Sequence, residues 1–166
     1  MLLWNYLIRV SQLSLVCIVA LRELINTLTD IGQFNKVLQL TRKIIAFPTK
    51  ENAGTMFNRS IHSLWFAKMV TSTFIVMHAV SFILITCGLC YLIYHIKSEE
   101  DVFQKNKQIC IFGLAIAICF YVCSLGLMST DFFLSWMQEP KINFTLDLIG
   151  YSLPIAIALF YLNLKK

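Results

Sequence analysis

Cys87 and Cys90 are separated by Gly88 and Leu89, the spacing of a redox Cys-x-x-Cys pair. Such a pair works through a thiolate, which needs a helix N-terminus or a cation beside it and a route for a partner thiol. Here the flanks are Leu84-Ile85-Thr86 and Tyr91-Leu92-Ile93. An apolar helix of this kind supplies neither, and helix packing is the expected role, with Gly88 admitting a close neighbour. A membrane thiol oxidase would also carry cysteines in its loops. All six (Cys17, Cys87, Cys90, Cys110, Cys119 and Cys123) fall inside apolar blocks, where buried cysteine acts as a small hydrophobe. Cys87 with Cys90, and Cys119 with Cys123, share helical faces, but their depths differ and no hydrophilic entry path serves them. Neither a metal nor a cofactor is expected.

The three histidines, His62, His78 and His95, fall on one helix, too far apart to clamp a haem iron within one chain. His78 stands out because an ionisable group at mid-membrane is rare and usually faces a bundle interior. One reading is a neutral imidazole bonded to a serine or a backbone carbonyl. Another is the centre of a proton or small-solute pathway with Ser81, Thr86, Ser124, Ser152 and the Gly150 carbonyl, which Pro154 leaves without its helical donor. A further group, Asn26, Asp30, His62, Asp131 and Trp136, approaches one membrane surface, either as a ligand site or as a solvated rim of caps. No serine-nucleophile elbow, phosphate loop or paired-carboxylate arrangement is present, and enzymatic activity is not expected.

The elements that carry these residues follow from composition. The chain has 166 residues, 58% hydrophobic and only 14% charged, where a soluble domain is nearer half apolar and a quarter charged. The apolar residues come in blocks long enough to cross a bilayer core. They predict an all-α fold: a single transmembrane domain over residues 1–166, an integral membrane four-helix bundle with spans at about 2–24, 61–96, 109–128 and 146–164. Arg22-Glu23 and the following Asn26–Asp30 stretch mark the exit of the first span. The second span exceeds the bilayer core and must tilt or project. Phe34, Val37, Leu38, Thr41, Ile44 and Ile45 recur at helical spacing, with Lys36, Gln39 and Lys43 largely on the other face, predicting an amphipathic helix in the interface plane of the first loop. Residues 131–137 are too apolar for a plain loop and suggest a second interfacial piece in the third.

The net charge of +5 is spread over several segments. It suits anionic headgroups and offers no nucleic-acid surface. Lys97, Lys105, Lys107, Lys165 and Lys166 crowd helix ends on the side of the termini, which places both termini in the cytoplasm. The N-terminal segment lacks a basic region ahead of its apolar run and is read as a retained helix rather than a signal peptide.

In order, the chain shows Asn26-Thr27-Leu28-Thr29-Asp30 ending helix one, Phe47-Pro48, Ser60-Ile61-His62 opening helix two, Gly88 late in helix two, and Asp131-Phe132-Phe133-Leu134-Ser135-Trp136 after helix three. This arrangement resembles, over nearly the whole chain, a family of bacterial predicted small integral membrane proteins (domain of unknown function 2165). Members have an Asn-Asn-x-x-Asp-like end to helix one and a Glu-Trp-Phe-Leu-x-Trp stretch before helix four. Asp131 and Phe132 depart from that stretch, and His78 falls where members often have Glu. The resemblance implies four spans in a bacterial inner membrane and no activity. The expectation is a non-enzymatic accessory or scaffold subunit whose partners are the lipid bilayer and other membrane subunits or further copies of itself. Alternatives are a pathway centred on His78 and a redox or cofactor-binding protein.

Overall fold

The structure is a computed structural model that describes residues 2–46, 61–123 and 144–163. Among these, the regular structure is helical: α1 (Leu2–Gly32), α2 (Phe34–Ala46), α3 (Leu64–Tyr94), α4 (Glu100–Tyr121) and α5 (Phe144–Asn163). By length and composition one of them, α3, is apolar and long enough to cross a membrane, and residues Ile149–Asn163 of α5 form a shorter apolar helix. The interfacial piece expected at 131–137, together with Asp131, Trp136 and Ser124, lies outside the described residues.

α3 owes its length to 31 residues without a proline or an interior charge beyond Lys68. Ser63 caps its start, its hydroxyl accepting from the Phe66 amide at 3.3 Å. At 1.5 Å per residue it measures roughly 46 Å, well beyond a bilayer core. One antiparallel register runs along it. Arg9 reaches the Ile96 carbonyl, Glu23 meets His78, Thr41 bonds Thr71, and the Ile61 amide donates to Ile45. α2 therefore prolongs α1 along the first turns of α3, and the Gln33 amide still donates to Thr29 across the junction. The amphipathic pattern of α2 is present as expected, with Leu38, Thr41, Ile44 and Ile45 buried and Lys36, Gln39 and Lys43 exposed. That face packs against α3, however, where Thr41 bonds Thr71 and Leu38, Ile44 and Ile45 are buried.

α4 runs antiparallel to α3 in the closest pairing of the fold. An added Cβ at Gly88 would come 2.6 Å from the Cys110 amide nitrogen, and one at Gly113 would come 3.0 Å from that of Ile85. Small residues on both helices let the backbones touch, the usual means of joining helices where lipid removes the hydrophobic drive. α5 closes the ring between α4 and α1. Val16, Val19 and Ala20 of α1, Ile85 and Leu92 of α3, Leu114 and Ala117 of α4, and Ile155 and Ala158 of α5 fill the centre.

Several boundaries differ from the sequence reading. α1 continues past residue 24 to Gly32, and Glu23 is 1% exposed rather than marking an exit to water. The connection expected over 97–108 is short, because α4 starts at Glu100 with Glu100 and Asp101 favouring its N-terminal dipole. Lys107, counted among the headgroup-facing cations, is 2% exposed inside the fold. Of the six cysteines only Cys110 is buried; Cys17 is half-buried and Cys87, Cys90, Cys119 and Cys123 face outwards. The outward turn of Cys87 and Cys90 follows from register, since Gly88 takes the inward position against α4.

Candidate functional site: a buried acid, imidazole and phenol

α1 carries Glu23, Asn26, Thr27 and Asp30 at i, i+3, i+4 and i+7, one helical stripe. The stripe turns inward: Glu23 and Thr27 are buried and Asn26 and Asp30 half-buried. Leu21, Ile25, Leu28 and Ile31 on the opposite face are 53–61% exposed. α3 brings His78 to the same level, and α4 brings Tyr121.

The three groups close on one another. His78 Nδ1 lies 2.9 Å from Glu23 Oε2, the Tyr121 hydroxyl donates to Glu23 Oε1 at 3.1 Å, and that hydroxyl is also 3.2 Å from His78 Nδ1. Asn26 Nδ2 donates to the Tyr121 oxygen at 3.0 Å. On the far side of the ring, His78 Nε2 stands 3.9 Å from Asp30 Oδ2, with the Asp30 side chain 23% exposed. Thr27 spends its hydroxyl on the Glu23 carbonyl, a bond within α1 that leaves the Glu23 side chain to the cluster. Phe120 meets the imidazole edge-on at 5.2 Å. Measured along α1 from Arg9, Glu23 lies roughly 21 Å in and Asp30 roughly 31 Å. Asp30 is therefore the mouth of the cluster and Glu23 its floor.

Arg22, next to Glu23, turns to α5. Its guanidinium donates to the Gly150 carbonyl at 2.8 Å and lies 4.5 Å from the centre of the Tyr151 ring. This is the carbonyl that Pro154 deprives of a helical donor, and Arg22 supplies a donor from another helix. Tyr151 in turn stacks on Tyr121, with centroids 5.2 Å apart and planes 8° from parallel.

Below Glu23 the core is apolar. Ser81, one turn beyond His78, has a buried hydroxyl without a protein partner among the described residues, as does the Thr86 hydroxyl. The next bonded polar side chains inside are Gln12 and Ser11, both on Tyr161. Of the surface group named from sequence, Asn26 and Asp30 belong to the cluster, whereas His62 is exposed and stands before the start of α3. Glu23 and Tyr121 were missed. The signal for Glu23 was the spacing 23, 26, 27, 30, an uninterrupted helical stripe mistaken for a helix end. Among the described residues no three His, Cys, Asp or Glu side chains are placed to share a metal ion.

A second polar group pins the opposite end. Arg9 donates to the carbonyls of Ile96 and Ser98 and pairs with Glu100 at 2.7 Å. The bond from Arg9, assisted by one from Gln104, holds the Glu100 carboxyl below its ordinary value. Lys107 donates to the Leu162 carbonyl at 3.2 Å and lies over the Phe103 ring.

A polar stripe facing inward beneath an apolar outer face defines a small helical membrane protein. The sequence agrees over residues 8–165 with the family described as predicted small integral membrane protein (DUF2165), and the chain belongs to that family. No curated protein and no solved structure matches it.

Proposed function

We propose that the chain is a non-enzymatic, four-span protein of a bacterial inner membrane, with both termini cytoplasmic, that takes a proton from the Asp30 side into the Glu23–His78 pair. The observation that carries this reading is the buried Glu23 carboxylate held by imidazole and phenol at 2.9 and 3.1 Å. Four spans are supported by the outward apolar faces of α1, α4 and α5, including Ile25, Phe112 and Phe160, each at least 60% exposed. Lipid is the medium that accepts such faces.

The proton step balances through the ring. With Glu23 ionised, Nδ1 carries the hydrogen and donates to it, leaving the Nε2 lone pair towards Asp30. When Asp30 arrives protonated, its O–H bond breaks as Nε2–H forms, and Nδ1–H breaks as a Glu23 O–H forms. The imidazole is neutral before and after. The 3.9 Å gap between Nε2 and Asp30 is closed by a small side-chain movement or bridged by a water. Beyond Glu23, among the described residues, the isolated hydroxyls of Ser81 and Thr86 form no hydrogen-bonded chain, which supports storage of the proton rather than its conduction. Its consequence is then conformational, which suits an accessory subunit that acts on a partner or on another copy in the membrane.

Vesicles containing oriented protein and a pH indicator on one side test this. After a pH jump the wild-type chain should bind about one proton more than Glu23→Gln or His78→Asn, and only from the Asp30 face. An imposed pH gradient should persist. Equal uptake by all three chains, or rapid collapse of the gradient by the wild type alone, overturns the reading. Native mass spectrometry from mild detergent tests the accessory role, and a strictly solitary monomer would contradict it.

A further inference from the structure

The proton site is joined to α5 by an uninterrupted series of contacts. The Tyr121 hydroxyl touches both Glu23 and His78, the Tyr121 ring stacks flat on Tyr151, and Arg22 lies on Tyr151 while holding the Gly150 carbonyl. The charged and titratable groups around the site are Arg22, Glu23 and Asp30 from α1, His78 from α3, Tyr121 from α4 and Tyr151 from α5.

We infer that Arg22 is a positioning residue that couples the proton on Glu23 to α5 at its Pro154 break. This rests on the proton reading above and adds its regulation. The Tyr121 hydroxyl lies at nearly equal distance from Glu23 Oε1, 3.1 Å, and His78 Nδ1, 3.2 Å; while Nδ1 carries its hydrogen, only the Glu23 oxygen can accept from the phenol. When the hydrogen passes from Nδ1 to Glu23, the neutralised carboxyl becomes a weaker acceptor for the phenol while Nδ1 presents a lone pair, and the phenol turns or shifts. A stacked ring follows that movement because sliding it loses contact area on both faces. α5 is the helix able to respond, since Pro154 has removed the bond to Gly150 that would stiffen its first half. Arg22 substitutes for that bond from another helix, so α5 is tied to the helix bearing Glu23 rather than to itself. A charge neutralised on Glu23 also alters the field on its immediate neighbour, the guanidinium.

Fluorine NMR of 3-fluorotyrosine-labelled protein in nanodiscs reads both ends, with the signals of Tyr121 and Tyr151 assigned by single Tyr→Phe changes. In the wild type both signals should shift with pH at a common midpoint, and His78→Asn should remove both shifts. In Arg22→Gln the Tyr121 shift should persist while the Tyr151 shift falls at least twofold, and Arg22→Lys should recover part of it. Pro154→Ala, which restores the helical donor to Gly150, should weaken the Tyr151 response in the same way. A wild-type Tyr151 that stays silent while the Tyr121 signal shifts with pH refutes the coupling and leaves the proton site intact. A Tyr151 shift undiminished in Arg22→Gln refutes the role of Arg22. A silent Tyr121 refutes the proton site itself.

Discussion

The two polar clusters of this chain sit about 20 Å apart along α1 and bury similar groups to opposite effect. At the Arg9 end each cation donates to backbone carbonyls at a helix end, Ile96 and Ser98 for Arg9 and Leu162 for Lys107. Those carbonyls cannot change protonation state, so they fix where helices stop; the one acceptor of Arg9 that can, Glu100, is 43% exposed at the edge of the cluster. At the Glu23 end the contacts among Glu23, His78 and Tyr121 join side chains that can exchange a proton, and the hydroxyl of Tyr121 lies within reach of both the carboxyl and the ring. Burial by itself does not mark function here. What separates the clusters is whether the hydrogens can be redistributed.

Substitutions should break that contrast in graded fashion. Arg9→Ala removes three charge-assisted bonds from a side chain only 11% exposed and should cost about 3 kcal/mol of stability, read as a lowered Tm in detergent, with proton uptake unchanged. Lys107→Met keeps the packing volume but loses the bond to the Leu162 carbonyl at the end of α5. A loss of about 1 kcal/mol is expected by the same assay, again without effect on uptake. Glu23→Gln should reverse the pattern: a stability change within about 1 kcal/mol in either direction, because an amide avoids the burial of charge, but complete loss of the extra proton in the vesicle assay. Were Glu23→Gln to destabilise as Arg9→Ala does while uptake survived, the distinction between the clusters would fail.

The smallest effect belongs to pH at the Arg9 end. The Glu100 carboxyl is held below its ordinary value chiefly by the Arg9 bond, so its folded value lies beneath its unfolded one. Its contribution is complete above the unfolded value of about 4.5 and is lost as pH falls through the lower folded value. Because the side chain is 43% exposed, solvent screens the pair and the slope is shallow. Acid titration of Tm should show Glu100→Gln flattening the fall below that point, and an unchanged curve would count against the pair.

Much of this arrangement is written in the sequence in ways that differ in legibility. The α2 face at Leu38, Thr41, Ile44 and Ile45 follows from helical spacing alone, and the Gly150 carbonyl without a helical donor follows from Pro154, since a proline inside a helix leaves a carbonyl four residues back. His78 is conspicuous because imidazole is out of place among Val76, Ala79, Val80 and Ile83. Glu23 was hidden by a local rule that polar residues after an apolar run mean exit from the membrane. The partners that overturn this rule, His78 and Tyr121, lie 55 and 98 residues away in the chain, and only tertiary packing reveals them. Lys107 was misplaced for the same reason, its carbonyl acceptor being 55 residues distant.

The inward polar stripe of α1 also bears on how the chain is made. When α1 leaves the ribosome, Arg9, Glu23 and Asp30 have nothing to bond with, and each is costly in hydrocarbon at that moment. The partners of Arg9 arrive only after residue 96 is synthesised. On the proposed four-span reading, stable insertion of the first helix is expected to wait until the third is complete, so that the two enter as a pair.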